Sequence, residues 1–255
     1  MSHHRGVFSE NPVDSDYASR LVAIRIAGDI IYSRDFGEAL RKWREYFEVS
    51  QSEIAREMGV TASVISDYEK SRRTPGAVFI KRFVDSLISI DAKRGWKKTK
   101  DLAMLAGTVP GAIVDMREFE KPLTVGELSS VVEGVILGFK DSARSVYGYT
   151  LVDSVKAILS LSGLQFTVLF GLNPQRAIVF TKSTTGRSPM VAVRTSPLKP
   201  AVVIVHGPGR NVDRLAIEIA KADRVPLVVS QLDSEEELAS RLRSLTMQRR
   251  FTPHP

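Results

Sequence analysis

The sequence predicts two unlike domains in series, an N-terminal all-α domain and a C-terminal α/β domain with a mostly parallel sheet. Three observations predict them. Over 37–90, apolar residues recur at helical spacing in four short segments separated by capping and turn residues. Beyond residue 123, short β-branched runs alternate with amphipathic helical ones, the order of a parallel βα layer. The chain's 255 residues, 43% of them apolar, suffice for two cores.

Residues 1–15 mix small, polar and His residues without period and are expected to form a flexible terminus. Over 16–33, Tyr17, Leu21, Ile24 and Ile31, with Val22, Ile26 and Ile30 beside them, recur at helical spacing. A long helix fits them. The alternation Val22, Ile24, Ile26 also permits a short strand, and Gly28 costs a helix interior about 1 kcal/mol. Four helices follow, at about 37–47, 51–58, 62–70 and 76–90. Ser50 with Glu53 forms a capping-box pattern at the start of the second. Gly59 is able to leave that helix with positive φ, and Thr61 is placed to cap the next. The unit is helix, tight turn, helix.

This first domain, with a basic extension, is expected over 16–100, and a connector over 101–122 containing the turn signal Pro110-Gly111. The α/β domain is expected over 123–248, with a tail at 249–255. Its helices are expected at 123–134, 150–161, 211–222 and 234–245, the last opened by a Ser234–Glu237 capping box. Its strands are expected at 177–181, 190–194, 201–205 and 226–229.

Composition excludes several functions. With no cysteine, disulfides, thiolate metal sites and cysteine nucleophiles are ruled out. No apolar run approaches the roughly 20 residues of a membrane span, and residues 1–10 lack a signal-peptide layout, so a cytoplasmic protein is expected. His3 and His4 lack further nearby ligands, and neither metal nor cofactor is expected. The net charge of +7 is concentrated, because ten basic residues between Lys70 and Lys100 face only Asp85 and Asp91, a local balance of +8. Its end, 93–100, is a candidate basic arm along phosphates.

In the 62–70 helix, Val64, Ile65 and Tyr68 are expected to face the core. Ser63, Ser66, Asp67 and Lys70 then lie at i, i+3, i+4 and i+7 on the outer face. Such short polar side chains can enter a DNA major groove, where Asp67 is suited to accept from a cytosine amine. Gln51 at a helix N-terminus, and Lys70, Arg72 and Arg73 at the far end, are candidate phosphate contacts, with Thr61 beside them.

The stretches Ser50-Gln51-Ser52-Glu53-Ile54-Ala55, Gly59-Val60-Thr61, Ile65-Ser66-Asp67-Tyr68-Glu69 and Arg72-Arg73-Thr74-Pro75 resemble the lambda-repressor-like (XRE-type) helix-turn-helix domain. With Tyr147 to Thr150 and Thr185-Gly186-Arg187-Ser188-Pro189-Met190, the whole chain resembles archaeal transcription regulators of that type with an α/β C-terminal domain. The resemblance implies that Gln51 contacts phosphate, that Ala62, Ser63 and Asp67 read bases, and that Arg44 pairs with Glu69 inside the domain. Ala62 departs from the longer polar residue of many members and offers only methyl contact.

In the second domain two loops stand out. Thr184-Thr185-Gly186-Arg187-Ser188 lies between two expected strands, and His206-Gly207-Pro208-Gly209-Arg210 leaves a strand for a helix. They read either as ordinary glycine turns or as a site where backbone amides and Arg187 or Arg210 clamp a small anion. Pro208 removes one donor from such a site. His206 is expected to pack rather than to catalyse. The run Glu235 to Glu237, followed by Arg241 and Arg243, answers a helix dipole. The expectation is a double-stranded-DNA-binding transcription regulator and homodimer, with a small anionic effector as a further partner. The competing expectation is an enzyme of phosphorylated metabolites that regulates its own gene.

Overall fold

The computed structural model of the chain describes residues 16–106, 111–162 and 165–246. The expected terminus at 1–15, the turn residue Pro110, the tail at 249–255 and His3 and His4 lie outside them. The chain divides into two compact units, 1–108 and 109–255.

The described part of the first unit is helical: α1 (Asp16–Tyr32), α2 (Phe36–Tyr46), α3 (Gln51–Met58), α4 (Ala62–Glu69), α5 (Ala77–Lys93) and α6 (Lys97–Leu105). The strand alternative for α1 falls because its buried residues Ala18, Val22, Ile26 and Ile30 are spaced four apart, one stripe of a helix. That stripe lies beside the one expected, leaving Ile24 and Ile31 exposed. Leu40, Ile54, Ile65, Phe83 and Leu87 join it in one core.

The basic segment 93–100 is the end of α5, a turn and the start of α6, not an arm. The buried Asp91 carboxylate accepts from the amides of Lys98 (3.2 Å) and Thr99 (2.8 Å), satisfying the open first turn of α6. Three cations of the segment carry acidic partners: Lys93 with Glu57, Arg94 with Glu53 and Lys98 with Glu48, each at 2.6 Å. The expected connector is likewise largely regular structure, since α6 runs to Leu105 and the first strand begins at Ile113.

The second unit runs β1 (Ile113–Thr124), α7 (Val125–Val131), β2 (Gly134–Gly138), β3 (Ser145–Asp153) and α8 (Ser154–Ser160). A 3₁₀ turn (Gln165–Phe170) follows, then β4 (Ala177–Thr181), α9 (Arg187–Thr195), β5 (Val202–Val205), α10 (Arg214–Ala222), β6 (Pro226–Ser230) and α11 (Glu235–Ser244). The sheet order is β1-β3-β4-β5-β6-β2. The central four strands are parallel, and both edge strands are antiparallel. β4, β5 and β6 are buried at every position, as strands covered on both faces must be. One face packs α7 and α11 through Leu128, Val132, Leu238 and Leu242.

Three expected elements are corrected. The helix expected at 123–134 is α7 alone, preceded by strand and followed by β2. The helix expected at 150–161 is strand up to Asp153 and helix only afterwards. The strand expected at 190–194 is α9, which buries Pro189, Met190 and Val193 at helical spacing and leaves Val191 exposed.

Candidate nucleic-acid interface

The geometry of α3 and α4 rests on the residue between them. Gly59 adopts φ 64°, ψ 35°, so α3 ends in a left-handed turn that closes through the Val60 amide to Ala55 O at 2.9 Å. Thr61 occupies the N-cap position of α4 without a capping bond; its hydroxyl meets Ser63 Oγ at 2.8 Å instead. Ser50 caps the Glu53 amide at 3.2 Å, while the Glu53 carboxylate turns to Arg94, so the expected box is half formed. Ser234 behaves likewise, capping the Glu237 amide at 3.1 Å while Glu237 pairs with Arg241.

A buried ion pair ties three helices together. Arg44 of α2 donates to Glu69 of α4 through Nε (2.6 Å) and Nη2 (3.0 Å), and through Nη1 to Val49 O at 2.9 Å. Arg44 and Glu69 are 9% and 8% exposed. Gln51, the first residue of α3, donates from Nε2 to Glu69 Oε2 at 2.8 Å. The amide expected to meet phosphate is thereby oriented from within the protein.

A second latch, which the sequence reading missed, joins the start of α2 to the loop after α4. The Asp35 carboxylate accepts from the Gly37 and Glu38 amides and from Ser71 Oγ at 2.6 Å. The Ser71 hydroxyl and those amides hold Asp35 below the usual carboxylate range. Gly37 is obligatory there, because a Cβ would stand 2.7 Å from the carbonyl oxygens of Tyr68 and Glu69. The signal in the sequence was Asp35 directly before the helix, an N-cap residue.

On α4 Ser63 is exposed and Ser66 and Asp67 are half-buried, while Ile65 and Glu69 are buried, and Lys70, Arg72 and Arg73 are exposed at its end. Two residues differ from expectation. Ala62 packs half-buried against the core, whereas Val64 is half-buried and outside the core cluster. Asp67 is not idle: Arg72 Nη1 stands 3.3 Å and Arg73 Nε 3.8 Å from its carboxylate oxygens.

The two loops of the second unit also come together. The Asp213 amide donates to Thr185 O at 2.9 Å, the Ser183 amide donates to His206 O at 3.2 Å, and Arg187 faces Asp213 at 3.7 Å. The first loop leads from β4 into α9 rather than into a strand. The amides of Gly186 and Arg187 are taken by the hydroxyls of Ser183 (3.0 Å) and Thr185 (3.5 Å). Ser188, Gly207, Gly209 and Arg210 are exposed around them. His206 is buried, with Nδ1 unpartnered among the described residues. Among the described residues, no group of three His, Asp or Glu side chains is arranged to hold a metal, and no helix is long and apolar enough to cross a membrane.

Residues 35–87 match the family model described as a helix-turn-helix domain. A protein of Archaeoglobus fulgidus named as an uncharacterized HTH-type transcriptional regulator is 46% identical over 225 residues, 88% of this chain and 97% of the relative. The chain belongs to this family. A similarly named HTH-type protein of Methanocaldococcus jannaschii is 43% identical over 219 residues, covering 84% of this chain and 91% of the relative. Both alignments are too long to be confined to the helix-turn-helix, so the family's shared sequence includes the α/β unit. No solved structure matches the chain.

Proposed function

We propose that the chain is a sequence-specific, double-stranded-DNA-binding transcription regulator whose α4 enters the major groove. The observation that carries this reading is the outer face of α4, where short Ser63, Ser66 and Asp67 side chains lie next to Lys70, Arg72 and Arg73. Short polar groups approach base edges closely, and the flanking cations meet phosphates. Gln51, at the start of α3, adds a phosphate donor, and Val64 adds an apolar contact suited to a thymine methyl. The pairing of Asp67 with Arg72 and Arg73 gives binding an exchange character. Phosphates take the arginines, and the freed carboxylate accepts from a cytosine amine.

Regulators of this geometry act in pairs, with recognition helices about 34 Å apart on one face of a palindromic site. We assign pairing and effector sensing to the α/β unit, not turnover. The glycine loops are poorly suited to an anion, because Asp213 neutralises Arg187 and the first amides of α9 are occupied. The test is binding-site sequencing from chromatin, followed by anisotropy on the recovered site. A shared palindromic motif is expected, with Asp67→Ala relaxing one base position by about 1–3 kcal/mol and Arg72→Ala weakening all sequences alike. Occupancy without a common motif would sink the proposal.

A further inference from the structure

The second unit holds a cavity of about 450 Å³ between α8 and α9, floored by Phe180 of β4 and walled by Ala157, Ile158, Phe166, Pro189 and Ala192. Its size falls within the range of small-molecule sites. It opens at the carboxyl ends of β3 and β4, because Ser154 follows the last residue of β3 and Phe180 is the last but one of β4. The loops at the carboxyl ends of parallel strands are where α/β sheets contact ligands, although β3 and β4 are sequential neighbours and form no switch point of strand order.

The lining chemistry is selective. Of the thirteen lining residues none is charged, and the polar ones are hydroxyl-bearing. One hydroxyl lacks a partner: Ser154 is 5% exposed, and its Oγ makes no hydrogen bond among the described residues. A buried hydroxyl left unpaired costs free energy, and a hydroxyl both donates and accepts. The neighbouring acid does not satisfy it, since Asp153 is engaged by the amides of Val155 and Lys156 and by Lys182 Nζ at 2.6 Å.

We infer that this cavity binds an uncharged, largely apolar small molecule carrying one hydroxyl or carbonyl oxygen, which Ser154 Oγ, closed off and unpartnered among the described residues, meets when its side chain turns into the cavity. A carboxylate or phosphate finds no cation in the lining and loses its hydration on entry. Such a molecule would fill the effector role that the regulator reading gives the α/β unit, in place of the small anion expected from the sequence. That connection rests on the reading above; the binding itself does not, and it is measured without DNA.

The experiment titrates the full-length chain with N-phenyl-1-naphthylamine, an uncharged dye that fluoresces in apolar sites, and displaces it with decanol, decane or decanoate. Saturable binding at one dye per chain is expected, with decanol competing about tenfold better than decanoate. Ile158→Glu, at a position 65% exposed and therefore compatible with folding, should weaken the dye about tenfold or more. Ser154→Ala should spare the dye but cut the advantage of decanol over decane about threefold or more. Thermal unfolding confirms that each variant is folded. Dye binding unchanged by Ile158→Glu, equal competition by decanoate, or an unchanged decanol advantage in Ser154→Ala would overturn the assignment. So would dye exclusion from a dimer that Ile158→Glu dissociates, which would make the cavity an interface between copies. Failure of the chromatin motif alongside intact dye binding would reject the regulator and leave the site standing.

Discussion

Arg44 and Glu69 are charges that the fold can keep buried only as a pair. Removing one partner strands the other away from water, and Glu69→Ala should cost about 3–5 kcal/mol in urea unfolding. It should also free Gln51, which Glu69 holds, so any affinity loss must be measured at a urea-free temperature where the variant remains folded. An unchanged unfolding midpoint would remove the pair from the fold's supports. Three carboxylates elsewhere carry a pH dependence. Asp35 is held low by the Ser71 hydroxyl and the Glu38 and Gly37 amides, and Glu57 by Lys93 and Ser89. For Asp153, burial pulls upward, but Lys182 and the Lys156 amide outweigh it and the net direction is down. A carboxylate depressed in the folded state adds stability that is complete above its unfolded pKa and is lost as pH falls through the folded one. Stability should therefore be flat near neutrality and decline below about pH 4, where unfolded carboxylates begin to bind protons. Asp153→Asn should shallow that decline in a denaturation series from pH 7 to pH 3; an identical slope would clear Asp153 of the effect.

At the scale of elements, legibility followed the number of independent local signals. The helices α2 to α5 combined a 3.6-residue apolar period with Ser50, Gly59 and Thr61 as punctuation, and α2 to α4 were readable to within a residue, while α5 runs three residues beyond its expected end. α1 was ambiguous because Val22, Ile24 and Ile26 also satisfy a period of two, and Gly28 argued against a helix. The structure turns Gly28 outward, with nothing within 4 Å of a built Cβ. Gly28→Ala should therefore raise stability by about 0.5–1 kcal/mol, seen as a higher melting temperature; an unchanged or lower one would count against an open position there. β1 was invisible. Its Asp115, Arg117 and Glu118 look solvated in sequence, yet Asp115 is buried, accepting from Arg117 Nε at 3.1 Å, Arg243 Nε at 3.0 Å and Tyr149 OH at 2.8 Å. Those partners come from β3 and α11 as well as β1, so no window of sequence contains the reason for the strand. α9 misled for the opposite cause. Met190-Val191-Ala192-Val193 has the β-branched look of a buried strand, and only the tertiary burial of Met190 and Val193 decides for helix. Of the candidate interface, the short polar side chains of α4 and the cations after it were visible in the sequence; the engagement of Asp67 by Arg72 and Arg73 was not, because it depends on how the loop after α4 turns back.

Across the whole molecule, charge that is dense in sequence need not be dense in space. The run from Lys70 to Lys100 carries a balance of +8 on paper. Folding then brings acids from elsewhere to its second half, with Glu57 at Lys93, Glu53 at Arg94 and Glu48 at Lys98, while Lys81 pairs with Asp85 within the run. Beside the outer face of α4 stand Lys70, Arg72 and Arg73, and there the two arginines share the single carboxylate of Asp67. Each phosphate neutralised contributes about 0.9 to the slope of log affinity against log salt. Replacing Arg72 and Arg73 together by Gln should thus lower that slope by about 2 per chain bound, measured by anisotropy between 50 and 300 mM salt. Replacing Lys93 and Lys98 by Gln should leave the slope nearly unchanged, because exposed ion pairs of this kind are worth about 1 kcal/mol or less to the fold and their charges are already compensated. The opposite pattern, a slope governed by Lys93 and Lys98, would restore the basic arm and move the phosphate contacts away from α4. Equal losses from both double variants would mean that DNA displaces the acidic partners and spans both ends of the segment.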